Sequence, residues 1–245
     1  MRKKFNNRYF FLLDVPMPVA FFTLRGANGT VDLSPNGATE AKSNKITFAP
    51  GPWKNLNGSF FFSGINDSFV HVGNNGELDT RFSTSIFAWV YLQNSTGYIY
   101  KYETVNGFST SSLMVVHQSL GVQVTYMDRK TSKEYILYKK NILNSDIWNF
   151  IGTTYDYHTG IATIFVNNSV VTQKVLKVKM ELGTASEVLI GGSTRSNKFF
   201  RGRISCLQVY DQALSVDQII KVKSRCNQTG ELLNTSTHKS MSNGI

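Results

Sequence analysis

The side chains that could do chemistry are few, and their spacing argues against most catalysis. Four histidines, His71, His117, His158 and His238, never form the HExxH pattern by which one helix turn offers zinc two imidazoles. None of them has a carboxylate partner in register along the sequence. Glycoside cleavage needs two carboxylates flanking the scissile bond. On a strand they would stand at alternating positions, and no E-x-D-x-x-E or similar run is present. There is no GxSxG elbow, and neither cysteine has a nucleophile's surroundings. The expectation is a protein that is not an enzyme, with a degenerate glycoside hydrolase the least favoured alternative.

Calcium would need about six to eight oxygens, several of them from Asp, Glu or Asn. The candidate groups are Asn66 and Asp67 with Asn74 and Asn75, and Asp32 with Asn36. Neither is an acid-dense loop, and turn chemistry accounts for both. No metal or cofactor is assigned, and Ca2+ is the only ion with any candidate ligands.

The clearer signal is positive charge. Formal net charge is +10, and Arg195, Lys198, Arg201 and Arg203 fall within one short segment around Phe199 and Phe200. Guanidinium forks pair with sulfate and carboxylate, and an overall positive field steers anionic polymers. A sulfated glycosaminoglycan fits this chemistry. Nucleic acid does not, since no zinc-finger spacing, RRM signature or basic heptad helix accompanies the charge.

The two cysteines, Cys206 and Cys226, bracket one strand–loop–helix unit. They are either a disulfide clip or two buried thiols, and their placement favours the clip. Such a bond persists in an oxidising compartment. Sequons at Asn28, Asn57, Asn66, Asn94, Asn167, Asn227 and Asn234 point the same way, towards a secreted glycoprotein. The basic start, Arg2 to Arg8, precedes an apolar run (Tyr9 to Leu13) too short for a signal-peptide core of about 7–15 residues. No apolar stretch approaches the roughly 20 residues of a membrane-spanning helix.

These residues must be carried by strands. Charged residues make up only 17% of the chain, and Gly, Asn, Ser and Thr are abundant, a mix suited to short strands and many turns. Ile86–Leu92 is almost continuously apolar, as in a central sandwich strand. In Leu120–Tyr126 the residues Leu120, Val122, Val124 and Tyr126 share one face. Trp148–Tyr155 and Ile161–Val166 are joined at Asp156–Gly160, and Val166 to Val170 reads as a tight hairpin on Asn167-Asn168. Val188–Ile190 and Ile204–Tyr210 complete the clear strands. Trp89 and Trp148 are expected in the core between sheets. Ser215 and Gln218 form a capping box, with Val216, Ile219 and Ile220 on the face that docks a short helix. The fold class is all-β: an antiparallel jelly-roll sandwich with one short C-terminal helix. Residues 1–17 read as a leader or linker, 18–226 as the domain and 227–245 as a flexible tail.

Four blocks carry a resemblance. They are PVAFFTLRGANGTVDLSPNGA, GSFFFSGINDSFVHVGNNGELDTRFSTSIFAWVYL, DIWNFIGTTYDYHTGIATIFVNNSVV and SEVLIGGSTRSNKFFRGRISCLQVYDQALSVDQI. Their order and spacing resemble the laminin G-like and pentraxin-like domains of the concanavalin A-like superfamily. The cysteine variant is similar to forms in invertebrate surface and matrix proteins, skeletal matrix included. An acidic position common in the family falls at Ser205-Cys206 here, so its role does not carry over. The resemblance implies an extracellular, non-catalytic binding or adhesion module whose partners are matrix proteins or glycans. A lectin-like carbohydrate binder, with or without calcium, is the alternative.

Overall fold

The computed structural model describes residues 15–35, 37, 41–94, 96–103 and 111–227. Strands are numbered in chain order. One antiparallel sheet runs β13 (Ser169–Val175), β12 (Ile161–Val166), β11 (Trp148–Tyr155), β6 (Thr84–Leu92), β15 (Arg201–Tyr210), β4 (Ser59–Ser63) and β3 (Thr47–Ala49). Here β1 (Ala20–Phe22) also pairs with β15. The second sheet runs β10 (Glu134–Lys139), β9 (Gly121–Met127), β8 (Ser112–Val116), β7 (Gly97–Tyr102), β14 (Val188–Ile190), β5 (Phe69–Val72) and β2 (Ala41–Asn44). This is the expected all-β sandwich.

The main core lies between the sheets. Val122, Val124 and Tyr126 of β9 meet Ile86, Ala88, Val90 and Leu92 of β6 and Ile151 of β11 in one apolar cluster. The Tyr126 hydroxyl donates to the Thr154 carbonyl at 2.9 Å, which satisfies the one polar atom it brings into the core. The unbroken apolar run of β6 has a plain cause, because its other face is also covered. Phe87 packs with Phe150, Phe165, Tyr210, Leu214, Ile219 and Val222 on the outside of the first sheet. There it lies beneath the helix α1 (Val216–Val222).

The helix starts as its sequence predicts. The Ser215 side chain accepts from the Gln218 amide, and the Gln218 side chain accepts from the Ser215 amide. Its buried face differs from the expected one. Ile219 and Val222 are buried, while Val216 and Ile220 are nearly half exposed. A helix this short rests on a narrow i, i+3 edge, and the other two side chains are left flanking it. Leu120 also departs from expectation. It ends a 3-10 turn at φ 44°, and the strand begins one residue later.

Cys206 and Cys226 form the disulfide, with Cα atoms 5.8 Å apart. The pairing of β15 with β6 shifts between Ser205 and Gln208, where Cys206 sits at φ 55°. Leu207 and Val209 stay in the inner core, while Cys206 joins Phe21, Cys226, Trp53 and Trp89 outside. The β-bulge thus aims a sulfur at the helix end without disturbing the core face.

One rim of the sandwich is tied by charge. Asp128 is 1% exposed and accepts from Lys177 Nζ at 2.5 Å and from the Lys130 amide at 2.9 Å. Glu181 pairs with Arg81 and, at 2.6 Å, with Lys130; Arg129 pairs with Asp79. For Asp128, burial raises the carboxyl pKa, but the bonds from Lys177, Lys130 and Thr131 outweigh it and leave it below the ordinary value. The Lys130 and Arg81 bonds lower that of Glu181. Groups with depressed folded pKa values contribute stability above the unfolded value and lose it as pH falls through the folded one. Melting temperature should therefore hold at neutral pH and fall below about pH 4. In Asp128→Asn the acid limb of a melting-temperature-versus-pH curve should be shallower; an unchanged limb would exclude Asp128 as a contributor.

Candidate functional site

The sandwich is asymmetric. The outside of the first sheet carries α1 and the disulfide, whereas the outside of the second carries no helix among the described residues. Register defines what that second face presents. Leu189 of β14 lies opposite Lys101 of β7 on one side and His71 of β5 on the other, and His71 lies opposite Lys42. Further along, Tyr98 faces Met114, Met114 faces Gln123, and Gln123 faces Tyr138. Tyr98, Gln123 and His71 are half-buried and Tyr138 is exposed, while Met114 and Leu189 fill the gaps between them.

The loop from β14 to β15 folds over part of this face. Gly191 begins it at φ 86°, and a Cβ there would stand 2.2 Å from the Phe62 ring, so only glycine turns the chain this tightly over the core. Lys101 Nζ donates to Ser193 Oγ at 3.1 Å and lies 4.8 Å from the Tyr98 ring centroid. Burial lowers the Lys101 pKa and Glu103 opposes the shift, while the nearby Lys198 and Arg195 charges lower it further. Burial raises that of Tyr98.

Beside this group is a cleft of about 230 Å3 lined by Phe69, His71, Glu103, Glu187, Leu189 and Arg195, among others. His71 Nε2 is 2.9 Å from Glu187 Oε2, so one histidine does have a carboxylate partner, supplied by a neighbouring part of the sheet rather than by its own strand. Arg195 Nε stands 3.9 Å from Glu103. The face combines aromatic surface, donors and acceptors, which suits a polyhydroxylated ligand held by hydrogen bonds and ring contacts.

The basic residues that are neighbours in sequence separate in space. Arg195 and Lys198 belong to the loop on the second sheet. Arg201 and Arg203 lie on β15 of the first sheet, where Arg203 stacks 4.5 Å from the centroid of Tyr91. Trp148 meets Tyr91 at 5.7 Å on this outer surface, and Trp89 packs outside against the disulfide cluster. Neither tryptophan lies in the core between sheets, because both occupy outward positions of their strands. His117 and His158 lie in a turn and a loop, and His238 and Asn234 are outside the described residues.

The calcium candidates are taken up by turns. Asn74 Oδ1 accepts from the Gly76 and Leu78 amides, and its Nδ2 donates to the Thr184 and Ser186 carbonyls. Asp67, at φ 71°, pairs with Lys45 at 3.1 Å. Asp32 Oδ1 caps the Phe21 and Ser34 amides, and Asn36 lies outside the described residues. Among the described residues no three His, Cys, Asp or Glu side chains gather as a metal site. The sequon residues Asn28, Asn57, Asn66, Asn94, Asn167 and Asn227 all lie in turns, loops or the end of the helical segment, none on a strand of the second sheet.

Sequence reading alone misses Tyr98, Lys101, His71 and Glu187 as a group. Alternation in GYIYKY is the available signal, and a bulge between Tyr98 and Tyr100 breaks it.

Comparison with known proteins agrees with this architecture. No curated protein matches the sequence significantly. Among solved structures, the botulinum neurotoxin serotype G binding domain superposes with a TM-score of 0.63 at 16% identity, covering 84% of this chain and 50% of that one. The receptor binding domain of the botulinum neurotoxin C/D mosaic serotype gives 0.65 at 13%, covering 84% and 50%. The binding domain of Paraclostridial Mosquitocidal Protein 1 gives 0.63 at 16%, covering 84% and 51%. The chain thus spans about half the length of these structures, and at such identities the likeness concerns the fold. A sequence profile of the laminin G type, described as the concanavalin A-like lectin/glucanases superfamily, matches residues 62–220. That match runs from within the β4 strand into the helix, over most of the sandwich just described, and the chain belongs to the laminin G-like family of the concanavalin A-like lectin/glucanases superfamily.

Proposed function

We propose that this chain is a non-catalytic extracellular binding and adhesion module, part of a matrix or cell-surface glycoprotein, whose second sheet receives a saccharide on its outer face. The observation that carries the reading is the asymmetry of the sandwich. The helix and the disulfide cover part of one outer face, while the other presents Tyr98, Lys101, Gln123, Tyr138 and the cleft at His71. Placement of the sequon asparagines away from those strands leaves that face accessible in a glycosylated protein. The disulfide supports an oxidising compartment. The structural neighbours are named as binding and receptor-binding domains, in keeping with a recognition role.

The test is a glycan array probed with the full chain. Wild type should bind a defined saccharide set, and Tyr98→Ala or Lys101→Ala should reduce that signal about tenfold with an unchanged melting temperature. A tenfold loss is about 1.4 kcal/mol, the scale of one charge-assisted hydrogen bond. Binding should survive EDTA, since Asn74 Oδ1 and Asp32 Oδ1 are engaged by backbone amides and Asp67 by Lys45. Calcium-dependent binding would instead establish the lectin alternative with a metal, and no saccharide binding at all would overturn the proposal.

A further inference from the structure

The cleft on the second sheet holds a carboxylate whose hydrogen-bonding capacity is unused. The Glu103 amide donates to the Glu187 carbonyl at 2.8 Å, which extends the register of β7 with β14 one residue beyond Tyr102 and Val188. Tyr102 is buried in the inner core, so alternation turns Glu103 to the outer face, where it lines the cleft with Glu187. Two glutamates thus stand opposite each other on neighbouring strands. Like charges directly opposite repel, and the arrangement costs stability.

The cations around them leave Glu103 unsatisfied. His71 Nε2 lies 2.9 Å from Oε2 of Glu187, whose side chain is 63% exposed. Arg195 Nε stands 3.9 Å from Glu103 Oε2, close enough for an ion pair and too far for a hydrogen bond. Lys101 Nζ is directed at Ser193 Oγ. The Glu103 side chain is only 12% exposed, and both of its oxygens are buried with no hydrogen-bond partner among the described residues. A desolvated carboxylate in that state is expensive to hold. The cleft beside it, about 230 Å3 with Phe69 and Leu189 among its walls, is smaller than the roughly 300 Å3 of a drug-sized pocket. It suits one ring or one side-chain end.

We propose that Glu103 is the receptor for a primary ammonium group, carried by the saccharide that this face receives: an amino sugar whose nitrogen is not acetylated. An ammonium brings three donors, one positive charge and no acceptor, the complement of a bare carboxylate. Placed between Glu103 and Glu187 it also relieves their repulsion. A neutral hydroxyl in the same place satisfies one lone pair and leaves both charges as they were. Arg195 is then the competitor that the ammonium displaces from Glu103. For the source of the amine the inference rests on the saccharide reading of this face; the carboxylate that selects it rests on its own geometry.

Linear tetramers of glucosamine, N-acetylglucosamine and glucose differ only in the group on the second ring carbon, and calorimetric titration of the full chain with each tests the assignment. Wild type should bind the glucosamine tetramer about tenfold more tightly than the other two, the scale of one charge-assisted contact. Glu103→Gln should bind all three alike. Asp211→Asn removes the same charge at an exposed turn far from the cleft and should keep the preference. Arg195→Ala should bind the glucosamine tetramer more tightly than wild type, because the competitor is gone; weaker binding would overturn the assignment. So would a preference lost equally in Glu103→Gln and Asp211→Asn, which would trace it to overall charge. Saccharide binding with no preference for the amine would overturn this inference and leave the reading of the face intact. If no tetramer binds, the saccharide reading fails, and trilysine, which offers the same ammonium without a sugar, decides the rest. Trilysine binding abolished by Glu103→Gln would keep the ammonium site and make its source a basic side chain, whereas no binding would overturn both. Thermal melts separate lost contacts from unfolding. If Glu103→Gln fails to fold, Glu187→Gln, at an exposed position, still has to reduce the preference for the proposal to stand.

Discussion

Replacing Cys206 and Cys226 together by alanine should destabilise the protein by about 3 kcal/mol, the loop-closure entropy of a 20-residue ring. For a domain of this size that corresponds to a melting temperature lower by about 6–12 °C. The loss should be local in structure. Cys226 lies just past α1, and Trp89 Nε1 donates to the Lys223 carbonyl at 3.0 Å, so the clip and this bond together anchor the C-terminal end of the helix. Hydrogen exchange should therefore speed up first in the α1 amides, while β8 and β9 of the second sheet, remote from the clip, remain protected. Urea denaturation of the double variant against wild type gives the number. An unchanged midpoint, or uniform loss of protection across both sheets, would show that the bond does not act by holding the helix.

A second substitution should cost as much or more. Phe87→Ala should destabilise the fold by about 3–5 kcal/mol, since it removes a fully buried ring from a packed cluster. Phe87 stacks on Phe150 with centroids 5.6 Å apart and meets Phe165 edge-on at 6.5 Å. These rings lie between the first sheet and α1, with Ile219 and Val222 of the helix in the same cluster. The cavity would sit under the helix, where seven residues with a single capping box have little freedom to collapse into it. Chemical denaturation measures the cost. A value below about 1 kcal/mol would mean that the helix is loosely docked and that the outer cluster is not a second core. Phe87→Leu, which keeps most of the volume, should recover a large part of the loss.

How much was legible depended on what each strand buries. Trp148–Tyr155, Ile161–Val166 and Val188–Ile190 emerge with the predicted bounds, because burial on at least one face leaves an apolar pattern in the sequence. Strand β2, Ala41–Asn44, has no such pattern; its residues are largely exposed, and only pairing with β5 makes it a strand. The capping box and the Asn167 turn were legible because each acts locally: Ser215 and Gln218 bond each other three residues apart, and Asn167 takes the φ of 57° that the tight turn requires. The groupings of side chains on the outer faces were not. Sequence proximity joined Arg195 and Lys198 to Arg201 and Arg203, but the chain crosses from one sheet to the other between them. The residues that do stand beside Arg203, Tyr91 and Phe61, come from distant strands and are brought together only by register.

The bulge in β15 has a consequence for the ancestry of the clip. Ser205 pairs with Trp89 and Gln208 with Phe87, so the two residues Cys206 and Leu207 stand against the single residue Ala88. Leu207 keeps the inward position that a regular strand would give its neighbour, and Cys206 is the supernumerary residue. Removing it would leave the inside–outside order of every other residue in β15 intact. A disulfide-bearing lineage can thus arise from a bare sandwich by gaining one codon here and one cysteine after the helix, with no change to the inner core. Relatives without the bond should then align through this strand with a one-residue gap at position 206.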